Sequence, residues 1–263
     1  MSFRNLRSRI GKKFSVKVQM YLQRILSNIY WSLRKYFLGV ENDKVNLFDK
    51  NWQIINKFSF IDKERNYNIY NLAKLHNEFF KNQKTHAIEL GCARGSTLIS
   101  MANFLHEECF IIGVDQFGEN KDDLKIDNIF DNHYRDYNPF GKKEIFDNSD
   151  FNQIFSFVKN HSIRENFKII KGIFPNKLHE NDLNFLNNLK FSFVHIDFDL
   201  YESTLNSLDF ILPKLKKNAI LIVDDYNSIN QSGVKQACKN SNLNLNKTFE
   251  TSSGQLIFLN TGD

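Results

Sequence analysis

From about residue 68 onward, short apolar runs rich in β-branched and aromatic residues alternate with segments whose apolar positions recur every three or four residues. The runs His86 to Leu90, Phe110 to Asp115, Lys168 to Ile173, Phe191 to Asp197 and Ala219 to Asp224 read as strands. Ser96 to Leu105, Phe151 to Lys159 and Thr204 to Lys214 read as helices between them. This alternation predicts a doubly wound, mostly parallel α/β sheet assembled from βαβ units. Thr248 to Leu259 reads as two strands joined around Ser253 and Gly254, a terminal antiparallel hairpin. In open sheets of this kind ligands sit outside the carboxyl ends of the strands, and those ends carry the unusual polar residues.

Ahead of the sheet, Val18, Leu22, Ile25, Ile29, Leu33 and Phe37 recur at helical spacing, which predicts an amphipathic helix. Residues 1–38 hold nine Lys or Arg and no acid, so the net charge of +5 belongs to this tail. The rest of the chain has 26 basic against 30 acidic residues, a balance of −4. A main domain of that charge lacks the electrostatic footprint of nucleic-acid binding. The tail itself suits an anionic membrane surface or a partner, or packing on its own domain or a sister subunit of a homo-oligomer. The expected division is a basic amphipathic helical extension over 1–67 and a main α/β domain over 68–263.

A chain of 263 residues can bury a sizeable core as one large domain. With 41% hydrophobic and 25% charged residues it falls in the globular range, away from disordered and membrane-spanning classes. Cys92, Cys109 and Cys238 are odd in number and lack CxxC spacing, which argues against a disulfide framework and a zinc site. The best early apolar run, Ile25 to Leu33, is closed by Arg34 and Lys35, short of a membrane span and unlike a signal peptide. A cytoplasmic protein, at most peripheral to the membrane surface, is expected.

Two stretches carry chemistry. The first, Ile88 to Ser96, is a strand, a glycine turn and a helix start, with Gly91 and Gly95 free to adopt tight turns. The G-x-x-x-G spacing is not the G-x-G-x-x-G of a dinucleotide site. S-adenosylmethionine carries no phosphate and suits this looser turn, with Glu89 placed to meet its cationic amino-acid end. Asp115, at the end of the second strand, is placed to accept both hydroxyls of a ribose. Glu89, Gly91, Gly95, Ser96 and Asp115 are therefore the candidate cofactor-binding residues; Cys92 and Arg94 read as loop packing and surface charge.

The second stretch is Val194-His195-Ile196-Asp197-Phe198-Asp199-Leu200-Tyr201-Glu202-Ser203-Thr204, with Ile222-Val223-Asp224-Asp225-Tyr226 following after a helix. Each segment follows an apolar strand, so the acids gather at one sheet edge. On an extended backbone Asp197 and Asp199 point to the same side. Four carboxylates brought together repel unless protonated or bridged by a cation, and an all-oxygen ligand set suits Mg²⁺, or Mn²⁺ or Ca²⁺, rather than zinc. Aspartates that merely cap the next helix would be the bland alternative, but Ser203 and Thr204 already offer cap oxygens there.

On these residues the chain resembles the macrocin O-methyltransferase family, metal-dependent enzymes that methylate sugar hydroxyls. The likeness spans roughly residues 80 to 240 and is carried by Glu89-Leu90-Gly91 through Gly95, Val114-Asp115-Gln116-Phe117, Lys171-Gly172-Ile173-Phe174-Pro175, His195 through Thr204 and Val223-Asp224-Asp225-Tyr226. The resemblance implies a class I methyltransferase sheet, S-adenosylmethionine as methyl donor, Asp197, Asp224 and Asp225 as metal ligands and Asp199 as general base. The chain departs from the family in the run Asp115 to Asn120 and in the polar segment Asp122 to Asp150, where the lid over the acceptor is expected.

The resulting expectation is a metal-dependent O-methyltransferase acting on a hydroxyl of a surface glycan or natural-product sugar. A catechol-type aromatic methyltransferase would use the same metal logic on a planar diol, and a membrane-associated scaffold that kept the fold is the non-enzymatic alternative. His195 stands as a second possible base or as a core histidine with its hydrogen bonds satisfied.

Overall fold

The computed structural model describes residues 46–56, 59–117, 151–162, 165–228 and 230–262. Strands β1 (Thr85–Leu90), β2 (Cys109–Asp115), β3 (Phe167–Lys171), β4 (Phe191–Ile196), β5 (Leu215–Val223), β6 (Thr248–Glu250) and β7 (Leu256–Leu259) form one sheet in the order β3-β2-β1-β4-β5-β7-β6. The first five pair in parallel, and β7 runs antiparallel to both β5 and β6. The mostly parallel sheet with a terminal antiparallel hairpin is thus the fold that the alternating pattern predicted.

Among the described residues, seven helices cover the two faces: α1 (Asn46–Ile55), α2 (Lys63–Phe79), α3 (Ser96–Phe104), α4 (Phe151–His161), α5 (Glu180–Asn187), α6 (Tyr201–Ile211) and α7 (Ser232–Asn240). On one face Ala87, Ile111, Phe193 and Ile222 pack against Phe48, Ile69, Leu98 and Val158 of α1 to α4. On the other, Ile88, Ile112, Val194 and Leu221 pack against Leu186, Leu208, Ile211 and Val234 of α5 to α7. Alternate residues of each strand serve opposite faces, and both faces are apolar because both are covered.

Three expectations need adjusting. Strand β5 begins at Leu215, four residues before Ala219, because Lys216, Lys217 and Asn218 interrupt the apolar pattern where the pairing with β4 shifts register. Helix α6 begins at Tyr201, so Ser203 and Thr204 lie inside its first turn and do not cap it; the cap position is Leu200, which makes no side-chain cap bond. Finally, the division expected at residue 67 falls within α2. Phe48, Trp52 and Ile55 of α1 are part of the same core as the sheet, and α2 starts on a proper cap, with the Asp62 carboxylate accepting from the Arg65 amide at 2.9 Å. The amphipathic pattern over 18–37 and the polar segment Asp122 to Asp150 lie outside the described residues, Asp150 being the last residue before α4. Among the described residues no helix is long and apolar enough to cross a membrane, and all three cysteines are buried.

What positions the site is the place where the strand order reverses, between β1 and β4, the point at which doubly wound sheets bind ligands. The parallel ladder runs one residue past each strand there: Gly91 donates to the Val114 carbonyl at 2.9 Å, Asp197 to Leu90 at 2.8 Å and Asp224 to Ile196 at 2.9 Å. These bonds bring the glycine turn and both acidic segments to one level along the sheet rim.

Candidate active site

The β1 rim is a tightly closed turn. Gly91 has φ +91, and a Cβ there would lie 2.1 Å from the Asp197 carbonyl oxygen, so only glycine allows the two rims to meet. Gly95 caps α3 with φ +76, and its bare face meets Val158 of α4. The close approach the glycines permit is therefore to other parts of the chain. Ser96 opens α3 and is buried. Cys92 packs its sulfur toward the Glu89 and Val114 carbonyls, as expected of loop packing, while Arg94 stacks over the Phe60 ring at 4.6 Å.

Asp115 organises this turn. Its Oδ2 accepts from the Ala93 amide at 2.8 Å and its Oδ1 from the Phe117 amide at 2.9 Å. Ala93 and Phe117 have φ of +44 and +49, a region non-glycine residues seldom occupy, and the Asp115 bonds hold them in it. Burial raises the Asp115 pKa, with these amide bonds opposing the shift. The Cys92 and Gln116 backbones act on this carboxylate in the same sense.

Glu89 is buried and does not wait for a ligand with both oxygens. Its Oε1 lies 3.2 Å from His195 Nδ1 across the β1–β4 pair, while Oε2 has no hydrogen-bond partner. Burial pushes the Glu89 pKa up, opposed by His195. On the His195 side burial works toward the neutral ring, but the Glu89 hydrogen bond and charge outweigh it and raise the pKa to about 9. His195 is only half of the satisfied core histidine envisaged, since its Nε2 is buried without a partner.

The β4–β5 rim gathers all four expected aspartates. Asp197 takes part in two groups whose ligand atoms all lie within 4.8 Å of one another: one with His195 and Asp224, the other with Asp199 and Asp225. The structure thus puts Asp199 at ligand range too, and sets Asp224 and Asp225 against different neighbours. The reason given for Asp197 and Asp199 sharing a side does not hold, because β4 ends at Ile196 and Asp199 has φ +63. A left-handed turn at Asp199 brings them together instead. Asp225 is likewise left-handed, with φ +53.

Electrostatics at this rim run one way. The Asp197 pKa is pushed well above the carboxylate range by burial and then by the Asp224 and Asp199 charges. Asp199 is raised as strongly, by burial, by the Asp225 charge and by a hydrogen bond shared with the Asp225 side chain. Asp224 is raised by burial, with Arg65 opposing. Mutual repulsion of this kind is what a bound cation relieves. Oxygen atoms within 4.8 Å of one another also fit the span across a small cation with ligands at about 2.1 Å.

One residue that the sequence did not single out completes the site. Arg65 of α2 donates through Nη1 to Asp224 Oδ2 at 3.1 Å and through Nη2 to Asp225 Oδ1 at 2.7 Å, and its Nε reaches the Ser253 carbonyl at 3.3 Å. A charged residue in the first turn of a helix, 159 positions before its partner, carries no local signal.

Comparison with known proteins bears on the family and the fold. The methyltransferase domain family model matches residues 88–226, more than half of the chain, from β1 to the turn after β5. This chain belongs to that family. No curated protein matches the sequence. Among solved structures, the O-methyltransferase NovP superposes with a TM-score of 0.61 at 18% identity, covering 77% of this chain and 82% of NovP. The calicheamicin methyltransferase CalS11 gives 0.56 at 15% identity, covering 85% and 94%. An O-methyltransferase from Bacillus cereus, solved with SAH, gives 0.51 at 12% identity, covering 86% and 95%. The chain is a methyltransferase-domain protein with the fold of O-methyltransferases.

Proposed function

We propose that this protein transfers a methyl group from S-adenosylmethionine to a sugar hydroxyl, with a divalent cation held by the aspartates of the β4–β5 rim. The carrying observation is the convergence of Asp197, Asp199, Asp224 and Asp225 at the switch point of the sheet, beside the Gly91 turn. A sugar acceptor is supported by the macrocin-like block from His195 to Thr204 with Asp224-Asp225-Tyr226, and the methyl donor by the family and fold.

In this reading Asp115 and the turn from Gly91 to Ser96 hold the nucleoside, and Glu89, whose Oε2 has no hydrogen-bond partner, meets the amino-acid end of the donor. Asp197, Asp224 and Asp225 would hold the cation, which would supply Lewis acidity to the acceptor hydroxyl. Asp199 removes the proton from the attacking hydroxyl. Positioning of acceptor against donor supplies much of the remaining acceleration. We place the enzyme in the cytoplasm, with the basic tail over 1–38 available for a membrane surface or a second subunit.

The test is a screen of nucleotide sugars and surface-glycan fragments with labelled methyl donor, run with Mg²⁺ and with a chelator. Label incorporation that the chelator abolishes is the expected result. Turnover of catechols but of no sugar would overturn the acceptor, and turnover indifferent to the chelator would overturn the metal.

A further inference from the structure

We infer that Arg65 is a built-in placeholder cation, which bridges Asp224 and Asp225 when no metal is bound and competes with the metal for those two carboxylates. The inference rests on the metal reading given above. Its own observation is independent of that reading: one guanidinium forks across two adjacent aspartates at 3.1 and 2.7 Å, with those aspartates 0% and 12% exposed in their side chains. An enclosed carboxylate pair without a counter-charge is costly, and Arg65 is the cation that sits on both. Burial works against its charge, but Asp224 and Asp225 outweigh it and lift the guanidinium further above its ordinary range.

The geometry also shows why placeholder and metal exclude one another in part. Asp224 Oδ2 accepts from Arg65 while Oδ1 accepts from the Asp225 amide at 3.0 Å, so both of its oxygens are already engaged. Asp225 Oδ1 is held by Arg65 as well. A divalent ion drawing on the same oxygens adds positive charge beside the guanidinium, a repulsion that loosening Arg65 relieves. Helix α2 need not move for this. It is pinned by Asn68 donating to Ser253 Oγ at 3.0 Å and Gln255 Oε1 at 2.9 Å, and by buried Ile69 and Ala73. The Arg65 side chain is therefore replaceable without undocking the helix.

The test compares the full chain with Arg65→Gln and Arg65→Lys, titrating Mn²⁺ by electron paramagnetic resonance and recording melting curves with and without the ion. A placeholder predicts that Arg65→Gln binds Mn²⁺ tighter than the unaltered protein, on the order of tenfold, with Arg65→Lys between the two. It also predicts that the loss of melting temperature caused by Arg65→Gln is large without metal and shrinks with saturating Mn²⁺. If the unaltered protein binds Mn²⁺ and Arg65→Gln binds it no more tightly, the placeholder is wrong and the metal reading stands. If no form binds Mn²⁺, both fail together. Should Arg65→Gln not fold, Arg65→Lys decides by the same sign.

Discussion

The two rims of the switch point are built on opposite principles. At the β1–β2 rim the chain satisfies itself: Gly91 and Gly95 donate to Val114 and Cys92, and Asp115 gathers the Ala93 and Phe117 amides. At the β4–β5 rim it does not: four carboxylates crowd together, and the cations in contact with them among the described groups are Arg65 and the His195 ring that already serves Glu89. The first rim is a scaffold whose carboxylate is already gathered by backbone amides. The second stores charge that the fold leaves only partly neutralised, and such an imbalance is the physical mark of a site that expects something more.

That contrast can be sharpened most strongly at Asp199. Replacing it with Asn keeps shape and hydrogen bonding but removes the proton acceptor, so kcat should fall about 10²- to 10⁴-fold with the Kd for the methyl donor unchanged, read by steady-state kinetics and calorimetry. A variant with near-normal turnover under saturating metal would show that cation acidification alone deprotonates the acceptor.

The scaffold rim should respond differently. Asp115→Ala removes an acceptor of charge-assisted hydrogen bonds worth about 1.5–3 kcal/mol each, so methyl-donor affinity should drop roughly 10- to 100-fold in calorimetry. It also strands the Ala93 and Phe117 amides, and a lower melting temperature should accompany the affinity loss. An unchanged Kd with a lowered melting temperature would make Asp115 purely structural.

Gly91→Ala tests whether the rims are mechanically joined. Its Cβ must displace the Asp197 carbonyl, and a backbone at φ +91 resists any side chain. Overpacking alone costs about 1–3 kcal/mol, which in a domain of this size lowers the melting temperature by roughly 2–4 °C per kcal/mol. Metal binding should weaken as well, since Asp197 moves; a variant with normal melting and normal Mn²⁺ affinity would uncouple the two rims.

The smallest effect concerns pH. Asp197, Asp199, Asp224 and Glu89 all have folded pKa values raised above their unfolded ones, and His195 rises to about 9. A raised folded pKa gives stability that is full below the unfolded pKa and is lost as pH climbs through the folded value. The metal-free protein should therefore melt at falling temperature as pH rises from about 4 to beyond about 9, and Mg²⁺ should flatten the aspartate part of that decline. A metal-free melting temperature that climbs across the same window would show the carboxylates to be ordinary surface acids.

How much of this could be read from residues alone follows the same divide. Strand ends and the acidic clusters were legible because β-branched runs and their terminal acids are local patterns: β1, β2 and β4 lie within a residue of expectation. The placement of four aspartates at one edge followed from topology. Left-handed turns at Asp199 and Asp225 were not legible, since non-glycine residues rarely adopt them. Arg65 was invisible for another reason. Its role exists only through a contact across 159 positions, which no periodicity reports. The use of Glu89 on His195 was hidden likewise, because strands β1 and β4 become neighbours only in the folded sheet.

The most direct test of the central claim, that the β4–β5 rim is a divalent-metal site with a separate base, is a Mn²⁺ titration of metal-free protein followed by electron paramagnetic resonance. The account predicts saturable uptake that is weakened by Asp197→Asn, Asp224→Asn and Asp225→Asn, each by more than the roughly 10- to 100-fold that loss of an outer-shell partner costs, and is preserved by Asp199→Asn. Uptake that never saturates, or that Asp199→Asn abolishes as completely as Asp197→Asn does, would contradict it.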